Sequence, residues 1–347
     1  MTSVAFGLLL FSDYTVAELA ELAVLAEQLG YRDFWYTDVR FARDCYLGLA
    51  AAAARTHRIR LGTGVTDPYS RHPALTAAAI ATLDELSGGR AVLGLGTGGT
   101  GFRELGIVQA LPVAALRETV AVVRGLLAGE MVQQQGKVVS LTGARLGFTP
   151  PRRDIPVYFA THGSQITRLA AQVADGVLIA NTLVPAAFEH YVTQLEQGFD
   201  KAARDRAGFD IGLRVEACIA DDDAAAFAVM RRRVVTRVLS QYPHWDYLRE
   251  LGIALPEAFA TLAAERPAGY IERAIPLMPD AVVESMVLAG NPDRVARQLA
   301  RALHPRVTSV TLRPHALKGA SVAPVVRAFA EQVLPQALRL RESLAAA

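Results

Sequence analysis

Short runs of branched and other apolar residues alternate along the whole chain with longer amphipathic stretches. The runs are Val4–Leu10, Asp33–Thr37, Arg58–Val65, Arg90–Gly96, Ile155–Thr161, Asp175–Asn181, Asp210–Ala220 and Thr308–Arg313. Each is bounded by Gly, Pro or Asp and is too short for a helix, so each is predicted to be a strand buried on both faces. Between them apolar residues recur at helical spacing: in Val16–Leu29, the side chains of Leu19, Leu22, Ala23, Ala26 and Leu29 share one face. Strands alternating with helices imply a parallel sheet with right-handed crossovers. Eight such strands fit a closed (β/α)8 TIM barrel better than an open sheet.

Three connections are longer than a plain barrel needs. Residues 101–130 carry a long helical stretch, and residues 131–149 read as a hairpin, Met131–Gln135 and Val138–Leu141, around Gly136-Lys137. Residues 221–290 read as mostly helical, with breaks at Pro243, Pro256, Pro267 and Pro279. Insertions of this kind, about 101–149 and 221–290, belong at the C-terminal face of a barrel, where they shape substrate pockets or dimer contacts. No linker, repeat or low-complexity tract interrupts the pattern, so 1–347 is expected to form one domain.

Composition narrows the function. The 347 residues are 52% hydrophobic and carry a net charge of +2. That balance, without a basic block, argues against a nucleic-acid partner. The densest basic run, Arg231-Arg232-Arg233, is expected to be a solvated helix face. Cys45 and Cys218 have no paired spacing, and the histidines form no helical metal-binding pair, so no metal site is expected. Neither a signal peptide nor a membrane-spanning stretch is evident, which points to a soluble cytoplasmic protein acting on a small molecule.

In a barrel, chemistry belongs where strands end and loops begin. Leu61-Gly-Thr-Gly-Val-Thr-Asp-Pro-Tyr-Ser-Arg-His-Pro73 places two glycines in a buried strand. Such glycines mark either close approach of a ligand or a barrel corner followed by a helix with Pro at its first position. Leu93-Gly-Leu-Gly-Thr-Gly-Gly99 lets backbone N–H groups approach an anion, but lacks the acidic strand end of a dinucleotide fingerprint. Ala160-Thr-His-Gly-Ser164 opens a helical pattern, where Gly163 and Ser164 offer a phosphate site or Ser164 serves as an ordinary N-cap. Asp38 ends the second strand and His162 the fifth; each is a candidate catalytic group, or a cap and a structural histidine respectively.

Taken together these stretches resemble the luciferase-like flavin and deazaflavin oxidoreductases. The branch most resembled contains methylenetetrahydromethanopterin reductase and related coenzyme F420-dependent enzymes. The resemblance is carried by Arg55–Pro73, Thr82–Gly98, Ile155–Gly163 and Ala174–Ile179, and is weakest in 221–290. It implies a cofactor ring lying on a bulge of the third strand, with a non-prolyl cis peptide between Gly64 and Val65. It implies cofactor contacts from Asp38, Thr63, Gly64, Val65, Thr97, Gly98, Gly163, Ser164 and Asn181, with Thr97, Gly98, Gly163 and Ser164 holding the phosphate. A homodimer is usual in that family.

Two positions depart from relatives of this type. Deazaflavin-dependent alcohol and sugar-phosphate dehydrogenases place His after the strand-two Asp, where this chain has Val39. The sugar-phosphate enzymes place Glu where this chain has Gly99. Without those acid and base groups, hydride transfer from F420 to a C=C or C=N bond is easier to accommodate than alcohol oxidation. A monooxygenase using reduced FMN is the alternative within enzymes, and a cofactor-free accessory protein of the same fold is the alternative outside them.

Overall fold

The computed structural model describes residues 4–180, 182–250 and 252–346. Eight parallel strands, Ala5–Leu10, Asp33–Tyr36, Arg60–Thr63, Ala91–Leu95, Val157–Thr161, Gly176–Ala180, Asp210–Ile219 and Ser309–His315, form the (β/α)8 barrel. The first six pair in that order. The ring closes through Asp210 N–H to Asp175 O, Thr308 N–H to Ile211 O, and Ala5 N–H to Thr308 O. A ninth short strand, Leu288–Gly290, pairs with the end of the seventh.

Two compact units make up the chain. The first comprises Met1–Ile179, Gln194–Gly212 and Thr308–Thr311, and contains the three ring-closing bonds just named. Its interior is filled by Leu9, Trp35, Val92, Tyr158 and Leu178, with the rings of Trp35 and Tyr158 5.4 Å apart. Trp35 fits because Gly62 faces it: a Cβ there would stand 2.5 Å from the indole ring. The first helix is Val16–Gln28, opened by a capping box of Thr15 and Glu18; Leu29 is its C-cap.

The second unit comprises Ala180–Thr193, Leu213–Val307 and Leu312–Ala347. It holds the predicted helical insertion: Asp223–Ser240, Asp246–Glu250, Glu257–Glu265, Tyr270–Ala274 and Asp280–Glu284. The four expected prolines fall in the breaks between these helices, because proline neither donates to the helix ladder nor leaves its predecessor free to be helical. Phe259, Met230, Val234 and Val283 are among its fully buried side chains.

The hairpin differs from expectation at its second strand. The strands are Val132–Gln135 and Ser140–Ala144, so Val138 and Val139 belong to the turn. The cause is Glu118 on the helix Pro112–Leu127, whose carboxylate accepts the N–H groups of Lys137, Val138 and Val139 at 2.8, 3.0 and 2.9 Å. Backbone donors spent on a carboxylate are not available to a ladder. The two cysteines are both buried and free.

Charged residues plug the N-terminal end of the barrel in the first unit. Asp33 binds Arg60 at 2.5 Å and Arg32 at 2.7 Å; Asp210 binds Arg32, Thr308 and, at 3.0 Å, the Tyr158 hydroxyl. Burial pushes the Asp210 carboxyl upward, but Arg32 and the hydroxyl donors outweigh it and hold the group below its usual value. A carboxyl depressed in the folded state contributes stability that is complete above the unfolded value and is lost as pH falls towards the folded one. The urea midpoint should therefore drop as pH is lowered from 5 to 3. Asp210→Asn should be less stable at neutral pH and show a shallower drop; an equal slope in both proteins would rule out this contribution.

Candidate active site

The site begins where the third strand fails to continue. Gly64 N–H donates to Tyr36 O at 2.7 Å, the Gly64–Val65 peptide is cis, and Thr66 then pairs with Leu95. Thr66 N–H donates to Gly94 O, and Thr66 O accepts from Gly96 N–H, both at 3.0 Å. The fourth strand makes room by omitting side chains. A Cβ on Gly94 would lie 1.9 Å from Thr63 O, and one on Gly96 2.6 Å from Val65 Cγ2. Thr63 Oγ1 ties the seam, donating to Gly94 O at 2.7 Å and accepting Gly94 N–H at 3.0 Å. Glycines 94 and 96 of the glycine-rich stretch thus answer to strand packing rather than to an anion.

The following loop explains the rest of the run from Asp67 to Pro73. Buried Asp67 accepts from Tyr69 N–H, Ser70 N–H, the Ser70 hydroxyl and, at 2.6 Å, Arg40 Nη1. Arg40 lies 4.2 Å above the Phe102 ring, which closes over Gly98. Gly98 itself turns with φ +78, a conformation that L side chains rarely adopt. His72 is the N-cap of the helix Pro73–Ser87. Its Nδ1 accepts Ala74 N–H at 3.2 Å, which assigns the proton to Nε2, the atom 3.0 Å from Ser140 O. The corner-and-turn reading of this stretch therefore holds for His72 and Pro73, side by side with the bulge.

Asp38 is fixed from the same loop. Its Oδ2 accepts from Thr66 Oγ1 at 2.7 Å and lies 3.6 Å from Arg71 Nε. Arg71 is in turn held by Asp44 at 3.3 Å and lies over the Tyr46 ring. Among the described residues Oδ1 of Asp38 accepts nothing, and the neighbouring Thr37 Oγ1 is buried without a partner. A buried hydroxyl without a partner beside this carboxylate fits a hydrogen-bonding ligand. Thr66 and Arg71 were legible as residues of the motif but not as the partners that orient Asp38.

At the end of the fifth strand His162 is exposed, and the helix Ser164–Val173 begins. Its N-cap is Gly163, with extended backbone, so Ser164 is the first helical residue and not the cap. Thr161 Oγ1 accepts Gly163 N–H at 3.1 Å, and Thr167 Oγ1 donates to Gly163 O at 2.9 Å. Glycine at the N-cap supplies no side-chain hydrogen bond to the first turn. A helix start with glycine at its N-cap lets an anion approach the first-turn N–H groups and the positive end of the dipole, which suits a phosphate. Thr97 is half-buried, its carbonyl taken by Gln109. Asn181, also expected at the cofactor, lies outside the described residues.

The structure brings Asp38, Thr63, Gly64, Val65, Gly94 and Gly96 into one connected patch through the contacts above. Gly96 reaches the fifth strand as well, a Cβ there standing 3.7 Å from Ala160 O. A backbone bulge, an oriented carboxylate and a helix start with glycine at its N-cap fit a phosphate-bearing flavin-type cofactor. Among the described residues no three His, Cys, Asp or Glu side chains gather as metal ligands would, and no helix is long and apolar enough to cross a membrane.

Sequence reasoning missed one group of residues in the second unit. Glu216 is buried and surrounded by Arg214, Arg233, Arg237, Arg313 and His315. Arg233 therefore turns inward, contrary to the expected solvated face, while Arg231 and Arg232 pair with Asp280 and Glu272. A signal existed: Arg214 and Glu216, and Arg313 and His315, stand two apart in otherwise apolar strands, so each pair shares a face.

These features define a (β/α)8-barrel oxidoreductase. The chain belongs to the luciferase-like monooxygenase family, whose model matches residues 5–309. It is 35% identical over 308 residues to the 5,10-methylenetetrahydromethanopterin reductase of Methanolobus tindarius, covering 88% of this chain and 92% of that protein. It is 33% identical over 312 residues to the enzyme of the same name from Archaeoglobus fulgidus, covering 88% and 92%. The solved coenzyme F420-dependent tetrahydromethanopterin reductase of Methanopyrus kandleri superposes with a TM-score of 0.83 at 29% identity, over 96% of this chain and 99% of that one.

Proposed function

We propose that this oxidoreductase uses coenzyme F420 and moves a hydride between the deazaflavin and a small organic substrate, reducing a C=C or C=N bond. The observation that carries the reading is the third-strand bulge, seated on Gly94 and Gly96 and bonded through Thr66 to Asp38. Similarity to an F420-dependent reductase along nearly the whole chain supports the choice of deazaflavin. When bound, the deazaflavin supplies the hydride; the protein's work is to hold and orient. In this reading the bulge backbone props the ring, Asp38 Oδ1 and Thr37 Oγ1 take its hydrogen bonds, and the helix start at Gly163–Ser164 takes the phosphate. Titrating the protein into F420 and, separately, into FMN tests the proposal by fluorescence quenching. Quenching of F420 with none of FMN is the expected result; FMN binding without F420 binding would transfer the site to the monooxygenase reading.

Val39 is half-buried, and Gly99 is exposed with only Arg40 Nη2 within 4.0 Å of a Cβ built there. Neither position offers a proton-transfer group, and general acid–base help contributes about 10²–10⁴-fold. Oxidation of isopropanol or glucose 6-phosphate by oxidised F420 should therefore stay at background. Sustained turnover of either alcohol would show that another residue supplies the base.

A further inference from the structure

We propose that the cluster around Glu216 in the second unit is a recognition site for an oxyanion, the carboxylate or phosphate of a small anionic ligand. Glu216 lies on the seventh strand with Arg214, two residues before it on the same face. The eighth strand contributes Arg313 and His315, and the helix Asp223–Ser240 contributes Arg233 and Arg237, one turn apart. The carboxylate of Glu216 meets Arg237, Arg233 at 2.6 Å, His315 Nε2 at 2.9 Å, Arg313 at 3.3 Å and Arg214 at 3.4 Å.

Arginines outnumber the carboxylate in this group. Four guanidiniums share one carboxylate, and burial lowers the His315 pKa despite its bond to Glu216, which keeps the ring neutral near pH 7. Arg233 and Arg237 alone bring two positive charges to the one carboxylate. Burial, opposed only in part by Glu216, also brings Arg214 down to about 10 and Arg313 to about 9. Clustered cations removed from water are costly unless an anion joins them.

Arg237 shows where that anion belongs. Its side chain is 6% exposed, and its Nη2 is bound to Glu216. Its Nε and Nη1 are buried with no hydrogen-bond partner among the described residues. A guanidinium presents its donors as a planar fork matched to the paired oxygens of a carboxylate or phosphate. The cluster reaches the surface through Arg233, His315 and Arg214, whose side chains are 24%, 17% and 16% exposed. In this arrangement Glu216 is the template that holds the arginines together, and its own charge disfavours ligands of high negative charge.

Calorimetric titration of the whole protein with inorganic phosphate and, separately, with succinate tests the proposal. At least one of them should bind in a one-to-one ratio, more weakly as salt is added. Phosphate alone would indicate a phosphate ester, succinate alone a carboxylic acid, and both an unselective oxyanion site. Arg237→Gln should weaken that binding at least about tenfold, since a charge-assisted bond is lost. The more exposed Arg233→Gln should weaken it several-fold, and carries the test if the first variant does not fold. Binding of neither anion, or binding that both variants leave unchanged, overturns the proposal. F420 quenching should be the same in wild type and variants; a parallel loss of F420 affinity would give the cluster to the cofactor and equally overturn it. Because anion binding and F420 quenching are read separately, failure of one reading is distinguishable from failure of the other.

Discussion

Gly163→Glu is expected to weaken F420 binding by about a hundredfold or more while leaving the melting temperature almost unchanged. The backbone at Gly163 is extended, with φ −126 and ψ 139, which any residue adopts. A Cβ there meets nothing within 4 Å, so the fold has space for a side chain. An acidic residue at a helix start is itself favourable with the dipole, by about 0.3–1 kcal/mol, and offsets the small cost of the change. The same carboxylate occupies the place where the cofactor's phosphate would meet the first-turn N–H groups, and repels it. Losing one or two charge-assisted hydrogen bonds, each about 1.5–3 kcal/mol, accounts for the expected loss. Gly163→Ala, which adds bulk without charge, should cost only a few-fold. Quenching titrations and thermal melts of the three proteins check this. Undiminished F420 affinity in the glutamate variant would remove the helix start from the cofactor site.

Gly94→Ala should be the most damaging single methyl group in the barrel. Its Cβ would stand 1.9 Å from Thr63 O and 3.1 Å from Thr63 C, with the Trp35 ring 3.3 Å away. The obstacle is backbone, which cannot rotate aside as a side-chain tip would. That backbone is bound on either side, by Thr63 Oγ1 to Gly94 and by Thr66 N–H to Gly94 O. Overpacking a core costs about 1–3 kcal/mol and occasionally more, and this position belongs at or beyond the top of that range. At about 1.4 °C per kcal/mol for a chain of 347 residues, the melting temperature should fall by roughly 4–6 °C. F420 binding should fall with it, since the bulge rests on this glycine. Gly147→Ala, where a Cβ meets nothing within 4 Å, is the control and should melt like the wild type. A Gly94→Ala protein that matched the control would mean the third strand is not seated on the fourth as described.

Much of the candidate site was legible because its signals are short. The two glycines between Leu61 and Val65 marked the bulge, and Gly163-Ser164 marked the helix start. Asp38 was placed at a strand end by its position after an apolar run. What these residues touch was not legible. The Leu93–Gly99 stretch reads locally as an anion loop, yet two of its glycines are set by atoms of Thr63 and Val65, some thirty positions earlier. The turn of the hairpin moved by two residues because Glu118, nineteen positions before Lys137, claims its N–H groups.

By itself the sequence determined the order of strands and helices, the parallel barrel, and the breaks in the 221–290 insertion. These follow from the periods of apolar residues and from Gly and Pro, which act on the chain within a few residues of themselves. The tertiary structure alone decided which charges meet. Asp33 finds Arg60, and Asp210 finds Arg32, across 27 and 178 residues. Glu216 collects Arg233 and Arg237 from the next helix, and Arg313 and His315 from a strand nearly a hundred residues on. The energy of a buried ion depends on what surrounds it in space, and closing the ring sets those neighbours in a way that no local pattern encodes.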